Sequence, residues 1–260
     1  MEQGVDIPDL IDTKNLWTLN WNNTFNYAVN LNNQVRISLP FLFQSEEFLF
    51  ETVEDGQPYT PPEGMEMFFH QDRMVMGFGD MSIAGQHFIF QENWVIGTEL
   101  GVNIPTGLVN VDDYSFTEYR QSIGSGVFTP TAQVMLFSRE TQRGFMGFLN
   151  ASTPFYANSD AYRTGHRVGG DMGYWLRWKK DYLTLLKINV SHQTGDTWHN
   201  QPISQSHRST VGIGLTQTGR LSDKQEWMIG LQQPLWIQIW EEDVKSQNKI
   251  TIFSLGLTWL

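Results

Sequence analysis

The chain has no cysteine among its 260 residues, which excludes a disulfide framework, a thiolate metal centre and a cysteine nucleophile. It is also poor in positive charge. Seventeen Lys and Arg stand against 28 Asp and Glu, for a net charge of −11. Phosphate backbones are held by basic surfaces, so nucleic acid is excluded as a partner. Between Arg36 and Arg120 the only basic residue is Arg73, while Glu46, Glu47, Glu51, Glu54, Asp55, Glu63 and Glu66 gather in that interval. Such a run reads as a solvated acidic loop. Long apolar runs are missing too, and none approaches the ~18 residues that mark a membrane helix. Glycines recur at strand spacing and not before helices, so no phosphate-cradling loop is present and nothing asks for a cofactor.

What the chain does have is aromatic residues and alternation. It carries 10 Trp, 17 Phe and 8 Tyr, far more Trp than a packed soluble core needs. In the stretch from Trp94 to Ile104, Trp94, Ile96, Thr98, Leu100, Val102 and Ile104 fall on one side; Val95, Gly97, Glu99, Gly101 and Asn103 fall on the other. Period-two patterning of this kind is a strand with one apolar face. A soluble strand commonly has about five or six residues, whereas a strand crossing a bilayer at a tilt needs roughly nine to eleven. The arm from Asp80 to Phe90 joins it through Gln91-Glu92-Asn93, making an antiparallel pair. The expected fold is therefore all-β: a transmembrane antiparallel β-barrel, in which only alternate residues meet lipid.

The remaining segments fit that scheme. Alternation begins at Trp17, Leu19 and Trp21, resumes at Phe25, Tyr27 and Val29, and returns after Asn32-Asn33 at Val35, Ile37, Leu39, Phe41 and Phe43. Later strands are centred on 131–137, 145–151, 168–178, 186–190, 211–215, 227–231 and 253–259. Short and long connections alternate, as in a barrel with tight turns at one rim and loops at the other. Bacterial single-chain barrels have even strand numbers, so the eleven clear strands imply about twelve, the missing one near 4–14 or 65–69. Residues 1–15 read as an N-terminal segment and 16–260 as one barrel, with long extracellular loops near 44–73, 105–121 and 192–207. Met1-Glu2-Gln3 is followed by polar residues and no signal peptide is visible, so Met1 reads as the start of a mature exported chain.

Three short motifs stand out: Leu39-Pro40-Phe41, Gly77-Phe78-Gly79-Asp80 and Pro105-Thr106-Gly107. With Gln233-Pro234-Leu235 and the closing strand Ile252–Leu260, they resemble the outer-membrane family named for the phenol-degradation (MetA-type) pathway, over most of residues 16–260. The resemblance implies a barrel of about a dozen strands in the outer membrane of a Gram-negative bacterium. Such a barrel passes small apolar or aromatic molecules by passive diffusion, with outer-membrane lipids and the solute as its partners. The Met-rich stretch Gly64–Met81 and the terminal Leu260 depart from the family pattern.

Inward-facing positions are the candidate solute path: Glu99, Asn103, Gln133, Asn150, Asp171, Lys187 and Asn189. A polar lining of this kind either contacts solute or fills a narrow barrel with hydrogen-bonded side chains. For apolar solutes a side opening is expected near Gly77, Gly79, Gly101 and Pro105, where strand pairing is interrupted. Met65, Met67, Met74, Met76 and Met81 with His70 are soft donors, but methionines lining an apolar loop or mouth are the better account, and no metal is expected. Ser191-His192-Gln193-Thr194 is similar to the His-x-Ser motif of outer-membrane lipid hydrolases, with Thr194 in place of Ser; catalysis is not expected, and a hydrolase at His192 is the alternative. A barrel that binds a partner protein through the acidic loop 44–73 is another.

Overall fold

The structure, a computed structural model, describes residues 10–52, 73–107, 124–159, 161–179, 181–202, 207–239 and 247–259. Among them are fifteen strands and no helix. They are β1 (Leu10–Ala28), β2 (Asn33–Thr52), β3 (Arg73–Phe78), β4 (Met81–Phe90), β5 (Trp94–Ile104), β6 (Thr129–Ser138), β7 (Arg143–Ser152), β8 (Tyr162–Arg163), β9 (Arg167–Lys179), β10 (Tyr182–Gln193), β11 (Thr197–Trp198), β12 (Gln201–Pro202), β13 (Arg208–Ser222), β14 (Gln225–Ile239) and β15 (Gln247–Trp259). Most ring strands run ten residues or more, long enough to cross a bilayer at a tilt.

Twelve strands share one sheet, and β1 pairs with both β2 and β15, so the sheet closes on itself. The closed ring is β1, β2, β4, β5, β6, β7, β9, β10, β13, β14 and β15: eleven strands. The expectation of an even ring is thus corrected. In a ring of consecutive antiparallel strands an odd number forces one parallel contact, and β1 and β15 supply it, from Thr13 opposite Gln247 to Phe25 opposite Trp259. The twelfth strand, β3, lies in line with β4. Both run antiparallel to β2, β3 against Phe41–Glu46 and β4 against Asn33–Ser38, with Gly79-Asp80 interrupting them. Among the described residues the extra strand sits at 73–78; of the places the sequence offered, 10–14 belongs to β1, and 4–9 and 65–69 lie outside the described residues.

Two boundaries also differ from the sequence reading. β1 starts at Leu10, inside the segment read as N-terminal, and β2 runs on to Thr52, inside the segment read as loop 44–73. The cause is mutual pairing: Leu10–Thr18 lies opposite Thr52–Gln44, so each weakly patterned stretch satisfies the other's backbone groups. The rest of that loop up to residue 72 lies outside the described residues, as do 108–121 of the loop expected at 105–121 and residues 1–9. The loop expected at 192–207 begins later, because His192 and Gln193 still belong to β10. Beyond it, β11 pairs with β12 and β8 in a separate three-stranded sheet, and His199 and Asn200, both with positive φ, make the tight turn.

The two faces of the ring wall are chemically opposite. Leu100 is 72 % exposed, whereas its neighbour Glu99 is 4 % exposed. The same inversion recurs around the ring, where Leu149, Met172, Ile188, Ile213 and Ile229 all point outward and lie open. Contiguous apolar exposure on this scale would be an aggregation surface in water and is the normal face of a strand in lipid. Near the short turns the outward aromatics Tyr27, Trp94, Phe145, Tyr174, Trp178 and Tyr182 form a band. Phe145 packs edge-on to Tyr174 and Tyr182 to Trp227, with centroids 5.2 and 6.3 Å apart. Aromatic side chains favour such a position because one end is apolar and the other reaches the wet interface. Replacing Leu100 with Arg should lower stability by about 2–4 kcal/mol, the cost of a cation on a lipid-facing strand. Urea titration of protein folded into vesicles measures it, and an unchanged midpoint would place Leu100 in water.

Candidate functional site

The inner face holds two sectors of different character. On β2, β4 and β5, Arg36 Nη2 contacts Glu99 Oε1 at 2.5 Å. Gln86 donates to the other carboxylate oxygen of Glu99, and Gln34 donates to Gln86. Gln86 and Glu99 are both buried, and this chain of amide, carboxylate and guanidinium ties three neighbouring strands together along the inner wall. A carboxylate buried to this degree is stable only when paired and hydrogen-bonded. Further round, Lys187 Nζ reaches Asp171 Oδ2 at 3.2 Å. On the same parity Arg220 Nη2 stands 4.0 Å from Glu226 Oε1. These inner ion pairs are internally neutralised, so together they add little net field along the axis.

All seven residues expected on the solute path lie on strands of the ring, on the parity that Glu99 defines. Glu99, Gln133 and Asn150 stand opposite one another in a row across β5, β6 and β7. Asn189 lies opposite Asp171, with Lys187 one step along the same face of β10. Asn103 stands apart from both groups, between Ser82 and Thr129. Asn150 is exposed at its end of the strand, unlike Glu99. Sequence reasoning missed Arg36, Gln34, Gln86 and the asparagines Asn20, Asn22 and Asn26. The signal was present: if Leu19, Trp21 and Phe25 face outward, then 18, 20, 22, 24 and 26 face inward. The buried Oδ1 atoms of Asn20, Asn22, Asn26 and Asn189 and the Nε of Arg36 have no protein partner, which makes this a wall rich in open hydrogen-bonding positions.

On β6, β7, β9 and β10 the inner face is apolar toward the short turns and polar beyond them, at Gln133, Asn150, Asp171, Lys187 and Asn189. Met135, Trp175 and Leu185 are buried and face inward. Phe137 and Phe148 meet edge-on with centroids 5.3 Å apart. The burial of these side chains comes from packing on one another and on the wall at that level.

The three motifs distant in sequence converge at the strand break. Gly79 N donates to Pro40 O at 2.8 Å, and Phe78 packs edge-on to Phe41 at 5.4 Å. Asp80 Oδ1 accepts from Gly107 N at 3.1 Å, while its Oδ2 accepts from Ser125 N at 2.8 Å and Ser125 Oγ at 2.6 Å. Thr106 Oγ1 accepts from Met81 N at 2.9 Å and donates to Gly79 O at 3.3 Å. A Cβ on Gly107 would stand 2.6 Å from Gly124 Cα, so only glycine permits the two loops to cross here. The strand order is interrupted at Gly79-Asp80, where the Asp80 carboxylate latches the break; Gly77 pairs with Leu42, and Gly101 pairs with Ala84 and Thr131, so these two glycines, against expectation, do not interrupt the ladder.

His192 faces outward above Ile188 and Val190. Its Nδ1 lies 2.8 Å from Ser209 Oγ, its cross-strand partner, and its ring is 5.2 Å from that of His207. Ser191, on the other face, bonds Thr210 Oγ1 at 2.6 Å and is separate from this contact. Met74 and Met76 are exposed along β3; Met65, Met67 and His70 lie outside the described residues.

Each hydrogen bond to a charged group contributes about 1.5–3 kcal/mol. Asp80→Ala should therefore speed amide exchange at Gly107 and Ser125 by tenfold or more while β5 and β6 stay protected. Hydrogen exchange read by mass spectrometry checks this, and unchanged protection at both amides would show that Asp80 is not the latch.

No protein-family profile and no curated protein sequence matches the chain. Among solved structures it is similar to an outer-membrane channel from Pseudomonas putida F1, at a TM-score of 0.55 and 12 % identity, over 82 % of this chain and 74 % of that one. At that identity the likeness establishes the fold: an all-β barrel of the kind seen in an outer-membrane channel.

Proposed function

We propose that this protein is a channel in the outer membrane of a Gram-negative bacterium, one that lets small apolar or aromatic molecules diffuse passively. It would belong with the MetA-type phenol-degradation proteins that its motifs resemble. The observation that carries this reading is the mixed interior. Toward the short turns of β6 to β10 it offers aromatic rings and a thioether, to which an apolar solute binds by displacing water. Elsewhere it offers amides and paired charges, able to hold a single hydroxyl without attracting ions. An ion gains little from either region and loses its hydration, so discrimination favours uncharged solutes. The strand break gives such a solute a sideways route when the Asp80 latch opens. No catalytic step is needed for any of this.

One contact favours a second reading, an outer-membrane lipid hydrolase. Ser209 and His192 are in hydrogen-bond reach on the lipid-facing side, the arrangement a serine nucleophile needs. Phospholipid release that is lost in His192→Ala would support it, and no release from the folded parent removes it.

The channel reading is tested by solute flux in proteoliposomes, comparing small ions with phenol-like aromatics. Aromatic flux well above ion leak is expected. Absence of both fluxes, from protein shown to be folded, would overturn the reading.

A further inference from the structure

Phe88, Met135, Trp175 and Leu185 belong to four different strands, and each projects inward within six residues of a short turn. Each is seated on a glycine of a neighbouring strand. A Cβ on Gly97 would lie 3.0 Å from both Met135 Cε and Phe88 Cε1. One on Gly144 would lie 2.9 Å from the Trp175 ring, and one on Gly173 2.6 Å from Leu185 Cδ1. The glycines are thus sockets: by having no side chain they let the large ones lie flat against the wall and interlock. Gly97 and Gly144 are themselves buried, as are Met135, Trp175 and Leu185. The sector spans β4 to β10 without a charged side chain among these positions.

We infer that this socketed apolar sector is the ion barrier of the channel, a hydrophobic gate at the short-turn end that excludes water and therefore ions. The physical reason is that an apolar constriction dewets, and a dry segment stops an ion even where some width remains. The inner ion pairs Arg36–Glu99, Lys187–Asp171 and Arg220–Glu226 are each neutral as pairs, so charge is not what blocks the ion. Trp175 and Leu185 are then specificity-determining residues: they set the ratio of uncharged to charged solute. The inference rests on the channel reading, and the two can fail separately.

The experiment records ion conductance in planar bilayers for the parent, Trp175→Ala, Leu185→Ser and an outward control, Leu100→Ala, each shown to be folded by heat-modifiable gel mobility. Phenol flux into proteoliposomes is measured in parallel. Conductance should rise on the order of tenfold in both inner variants as the segment wets, and stay at the parent value in Leu100→Ala. If Trp175→Ala does not fold, Leu185→Ser alone decides. Parent-level conductance in the folded inner variants, or an equal rise in Leu100→Ala, would overturn the gate. A rise confined to the inner variants with no phenol flux from any protein would leave the gate standing and remove the aromatic-channel reading.

Discussion

Everything in this structure follows from one constraint: each backbone N–H and C=O in the wall must find a partner within the wall, because lipid offers none. A sheet meets that constraint only by having no edge. Here closure is achieved between the first and last strands of the ring, and because eleven strands precede closure, the final pair runs parallel. Parallel pairing is slightly weaker per residue than antiparallel. The contact compensates by length, since it extends from Thr13 to Phe25 on β1. Where the wall does depart from regular pairing, at Gly79-Asp80, a carboxylate and a threonine hydroxyl supply the bonds that a continuous strand would have made.

Closure also dictates the chemistry of the two faces. The outer residues need only be apolar, so Leu, Ile, Val and Met recur there without special fit. The inner residues must fill or line a narrow space, so they are individually matched: glycine against Met135, Trp175 and Leu185, and Arg36 against Glu99. That difference explains why a chain with a mean hydropathy of −0.34 can sit in a membrane. Half of each strand is free to be polar.

Much of the architecture was legible in the residues. Alternation over Trp94–Ile104 located β5 to the residue, and the same parity put Glu99 on the inner face. The eleven alternating segments are the eleven strands of the ring; a twelfth was added only on the rule of even numbers, which fails here because β1 and β15 close the sheet in parallel. The ends of β1 and β2 were illegible. Glu46 and Glu47 look like loop residues in isolation and become strand residues only because Leu16 and Asn15 lie opposite them. At the site, Arg36 went unnoticed because a single charge in an apolar strand carries no pattern; its role appears only when β4 and β5 bring Gln86 and Glu99 beside it. Gly79, Asp80, Pro105 and Thr106 were visible as motifs, whereas their meeting at one latch depends on Ser125, which no motif contains.

The central claim is that the sheet is inverted, with apolar residues outside and polar or interlocked residues within. The most direct measurement uses the absence of cysteine: single cysteines placed in turn at 95–103, each carrying a nitroxide label, in protein reconstituted into bilayers. Collision with oxygen, which concentrates in lipid, should alternate with period two, high at 96, 98, 100 and 102 and low at 95, 97, 99, 101 and 103. High collision with a water-soluble nickel reagent at 96 through 102, in place of oxygen, would put that face in water and contradict the membrane barrel.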